Sequence, residues 1–69
     1  MSLDELQKDY KHALATWKTW DHRHKLAQLV HLSAQASRAT ELGDPDLADS
    51  FDALAEVIAA DVERPAVAL

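Results

Sequence analysis

Glu41-Leu42-Gly43-Asp44-Pro45-Asp46 punctuates this 69-residue chain. Gly43 is its single glycine, and residues 2–42 contain neither Gly nor Pro. Glycine suits the left-handed position just past a helix C-terminus, where a Cβ carries a steric penalty. Asp44 has the side chain of a helix N-cap. Pro45 fits the first helical position, whose N–H would have no partner in any case, and Asp46 complements the positive end of the helix dipole. The stretch reads as a helix stop followed at once by a helix start.

Downstream, Leu47, Phe51, Leu54, Ile58 and Val62 recur at spacings of three and four, flanked by Ala48, Ala55 and Ala59. That is the stripe of an amphipathic helix, and Asp49, Asp52, Glu56 and Glu63 fall on its outer face. Pro65 ends it, leaving Ala66-Val67-Ala68-Leu69 as a tail expected to fray. Residues 1–65 are thus expected to form a single helical domain.

Upstream, a second stripe reads Leu26, Leu29, Val30, Ser33, Ala36 and Ala39/Thr40, with Leu32 and Leu42 to one side. At the start of the chain, Ser2-Leu3-Asp4-Glu5 has the form of a capping box. It opens a third stripe of Leu3, Leu6, Tyr10, Leu14, Trp17 and Trp20, out of phase with the second by a residue or two. The segment from Thr19 to His22 is either a stutter within one helix or a break between two, with Asp21 as a possible N-cap.

Both readings are all-α. The absence of Gly and Pro around residue 20 favours one helix over 3–42, and hence a helical hairpin: a long helix, the Gly-Asp-Pro turn and a shorter second helix. At about 1.5 Å per residue the first arm is roughly 60 Å long and the second roughly 28 Å, so half of the first is uncovered. Leu3, Leu6, Tyr10, Leu14, Trp17 and Trp20 then form the interface of a homodimer, a four-helix-type bundle. The alternative is a three-helix bundle with a break near Asp21.

Composition points the same way. Of 33 apolar residues 13 are Ala, so large core side chains are scarce, and without Cys no disulfide can compensate. Oligomerisation is the remaining usual means of stabilising so small a core. No apolar run approaches a membrane span, and the start of the chain has neither the basic residues nor the apolar segment of a signal peptide. A cytoplasmic protein with no membrane association is expected.

Charge is divided between the arms. From Lys8 to Arg38 there are six Lys/Arg against two acids, with all four His; from Glu41 to Arg64 there are eight acids against one Arg. A net charge of −5 opposes general nucleic-acid binding. Lys11, Lys18, Arg23 and Lys25 nevertheless give the first arm a basic face, and an RNA- or DNA-binding hairpin is the first alternative function. Pairing of these cations with the acids of the second arm is the favoured reading. The exposed acids Asp46, Asp49, Asp52 and Glu56 have the chemistry to dock on a basic protein or to mimic nucleic-acid phosphates.

Asp21 and His24 have the carboxylate-x-x-His spacing of carboxylate-bridged metal bundles, and His31 lies seven residues beyond His24 on the same face. Such sites need several inward acids and two units of this kind, so a His/Asp metal site is only a second alternative, and no cofactor is expected. Trp20–Leu29 has a His, a neighbouring acid and an apolar run. It lacks the residue order of a phospho-accepting histidine-kinase site, and 69 residues leave no room for an ATP-binding domain. No nucleophile has a placed base, so an enzyme is not expected. The expected function is a small non-catalytic interaction protein (adaptor, regulator or inhibitor) that self-associates and binds a macromolecular protein partner.

Overall fold

The computed structural model describes residues 2–64 and is all-helical over them. Helix α1 spans Leu3–Thr16, a single 3-10 turn follows at Trp17–Thr19, α2 spans His22–Glu41 and α3 spans Pro45–Glu63. The tail at 66–69 lies outside the described residues.

Each helix start is capped by its own side chain. Ser2 Oγ accepts from the Glu5 amide at 3.3 Å, Asp21 Oδ1 from the His24 amide at 2.7 Å, and Asp44 Oδ1 from the Leu47 amide at 3.0 Å. The capping box is altered in one respect: the Ser2 hydroxyl donates to the Glu5 carboxylate at 3.4 Å. At the end of α2, the Asp44 N–H donates to Ala39 O at 2.9 Å and the Gly43 N–H to Thr40 O at 3.0 Å. This is the Schellman arrangement, with Gly43 at φ +89°. Asp44 therefore closes α2 with its backbone and opens α3 with its side chain.

The continuous helix over 3–42 is not what forms. The chain turns between Thr16 and His22, and the hairpin becomes three helices, as in the alternative with a break near Asp21. No left-handed residue is needed, because Trp20 (φ −74°, ψ 143°) and Asp21 (φ −76°, ψ 174°) reverse the direction as two extended residues. The threonines terminate the helix ladder: Thr16 Oγ1 donates to His12 O and Thr19 Oγ1 to Thr16 O, each at 2.7 Å. Such side-chain bonds to the preceding turn compete with helix continuation.

The break lets α1 fold back along α2 and lie against α3. Phe51, Leu6, Leu32 and Ile58 are the largest fully buried side chains, with Ala13, Ala36, Ala39 and Ala48 letting the helices approach closely. Burying each large side chain contributes about 1.5–3 kcal/mol. Tyr10 meets Phe51 edge-on, with ring centroids 5.5 Å apart.

The stripe of α3 is as expected, that of α1 departs at one position and that of α2 is rotated. On α2 the inward residues are Leu32, Gln35, Ala36 and Ala39, while Leu26 and Val30 face outward. On α1, Ala13 takes the inward place and Leu14 is half exposed. The molecule is a rod of 44 × 16 × 16 Å, with a thin core and much surface.

Candidate functional site

Three surface features carry chemistry. The first is a groove between α1 and α2, lined by Asp9, His12, Trp20, His24, His31 and Gln35 among others. Gln35, the one buried polar residue described, donates Nε2 to Asp9 Oδ2 at 2.8 Å and so ties α1 to α2. The Trp20 ring stacks on the His24 imidazole, with centroids 4.6 Å apart and planes 11° from parallel.

Three of the four His thus reach one groove, but Asp21, His24 and His31 are not assembled as ligands. Asp21 is occupied in capping α2. Among the described residues, no group of three or more His, Cys, Asp or Glu is close enough to hold a metal ion.

The second feature lies at the far end of the α2–α3 pair. Lys25 Nζ donates to Asp61 Oδ2 at 2.6 Å, the only ion pair among the described residues. This hydrogen bond, more than any other cause, holds the Asp61 carboxyl below its ordinary value, against a partial loss of solvent that raises it; the Lys25 and Arg64 charges add to the lowering. Lys25 Nζ is also 5.6 Å from the centre of the Trp17 ring, and Lys18 Nζ 6.0 Å. Both distances are within cation–π range.

The third feature is the outer face of α2. Val30 is 75% exposed and Leu26 46% exposed. On one side the face runs into a shallow depression containing His31, Ala34 and Arg38; on the other, into one containing Ser33, Asp52 and Glu56.

These positions change the meaning of the residues singled out from sequence. Leu6 is fully buried in the chain's own core, and Leu3, Tyr10, Trp17 and Trp20 pack against that core half-buried. Of the expected dimer stripe, only Leu14 remains mostly outside, at 51% exposure. Lys11, Lys18 and Arg23 are exposed, whereas Lys25 is half-buried beneath its contacts with Asp61 and Trp17. Asp46, Asp49, Asp52 and Glu56 are all exposed.

Periodicity does not single out the outer face of α2, because Leu26 and Val30 belong to the apolar stripe expected on that helix. A signal was present: Leu32 and Ala39 fall nearly opposite Val30 at 100° per residue. Among the described residues, no helix is long and apolar enough to cross a membrane. Comparison of the chain with protein-family models, curated proteins and solved structures gives no match in any of the three.

Proposed function

We propose that this chain is a small non-catalytic helical interaction protein, an adaptor, regulator or inhibitor that self-associates as a homodimer and acts by binding protein. The observation that carries the reading is Val30, three-quarters exposed in the middle of α2 and one turn from the half-exposed Leu26. An apolar centre bordered by charge has the composition of a docking patch. A thin core in a short chain also gains from covering such a face with a second subunit.

The nucleic-acid reading is weaker, since Lys25, one of its four cations, is held by Asp61. Solution mass by light scattering, from about 1 to about 500 µM protein, tests the proposal over the range expected of a small interface. The mass should rise from 7.7 kDa towards its double, 2 × 7.7 = 15.4 kDa. A mass that stays at the monomer value throughout that range would rule out self-association.

A further inference from the structure

Building on that reading of self-association, we infer that the partner on the outer face of α2 is the α2 of a second copy. The two helices run parallel about a two-fold axis along their length. The borders of the face decide the orientation. Arg38 and His31 lie on one side of the Val30 line, and Asp52 and Glu56 on the other. Arg38, Asp52 and Glu56 have no ion-pair partner among the described residues, so their charges are available to a neighbour.

A two-fold axis parallel to α2 exchanges left and right between the copies. It lays each basic border on the other copy's acidic border and sets Val30 against Val30. An antiparallel pairing keeps left on left, which opposes the acidic border to its own copy and the basic border to its own copy. Its one gain is at the ends, where Arg23 would meet Glu41. The parallel pairing sets those two residues against their own copies, at the open ends of the face, where long side chains spread into water. Both are exposed. Both kinds of contact occur twice by symmetry, but each cross-border contact sets one Arg against two acids and removes the acid-to-acid opposition, so the cross-border contacts outweigh the end contacts.

The exposed line Arg23, Ala27, Val30, Ala34, Ser37 and Glu41 follows the alternating four-three spacing of a coiled-coil seam. The small residues next to Val30 let the two axes come close. A face about 30 Å long and one helix wide is at the low end of specific interfaces, so the dissociation constant is on the order of micromolar.

Sedimentation equilibrium on charge variants of the full chain tests this. Val30→Glu should abolish the dimer and leave the helical circular dichroism unchanged, since Val30 touches no core. Arg38→Glu should weaken association by about tenfold, and adding Asp52→Arg should restore most of the loss. If Val30→Glu still dimerises, another surface is used and the inference fails, although self-association survives. If Arg38→Glu leaves the dimer unchanged or tightens it, while Arg23→Glu loosens it, the pairing is antiparallel and the inference is again overturned. A wild-type chain that is monomeric throughout removes the inference together with the reading it rests on.

Discussion

Lys25 Nζ and Asp61 Oδ2 are 2.6 Å apart and join the start of α2 to the last turn of α3. With Trp17 beneath the ammonium, they close the end of the bundle where the chain reverses without glycine. The carboxyl is held below its ordinary value of 3.8 chiefly by this hydrogen bond. A group whose acidity is increased by folding stabilises the fold while it is ionised. That contribution is complete above pH 3.8 and is lost as the pH falls through the lower, folded-state value. Asp61→Asn should therefore lower the melting temperature at pH 7. The gap from wild type should narrow below about pH 4. Thermal melts at three pH values decide it: a gap that is constant with pH means the pair adds nothing through its charge.

Leu6 is fully buried, although sequence reading assigned it to a subunit interface. Leu6→Ala should cost about 2–5 kcal/mol. A core of this size supplies little more than that in total, so the variant should lose its cooperative melt even in dilute solution. Urea titration followed by circular dichroism at low micromolar protein is the check. Near wild-type stability at that dilution would mean that α1 does not pack on its own chain.

Gly43 has φ +89°, and an added Cβ would meet no atom within 4 Å. The penalty for an L-residue is therefore conformational alone. Gly43→Ala should destabilise by about 1–2 kcal/mol, and Gly43→Asn by less, because Asn tolerates the left-handed region better. Equal losses for both variants would point to crowding in place of backbone strain.

Much of the fold was legible because its determinants are local. Gly43, Asp44 and Pro45 specify the second turn through backbone conformation and capping, which involve only neighbouring residues. Ser2 was recognisable as a cap for the same reason, whereas Asp21 had that role only in the alternative with a break near it. The stripe Leu47, Phe51, Leu54 and Ile58 was unambiguous because α3 has one apolar face and acids opposite. On α2, apolar residues occupy more than one line, so periodicity alone did not single out the buried one. The exposed apolar face of α2 was lost with that choice.

Sequence alone decided that this protein is helical, where two of its three helices begin, and that a second arm follows Gly43. Backbone preference and capping energies act within a few residues and need no knowledge of the rest of the chain. Only the tertiary structure decided that the first arm folds back on itself. An extended Trp20-Asp21 link costs little, and it is stabilised by the burial of Leu6, Tyr10 and Ala13 against α2 and α3. The same packing turned Leu32 and Ala36 inward and left Val30 facing water. Which face of an Ala-rich helix is free depends on what the other two helices cover, and that is a property of the assembled bundle.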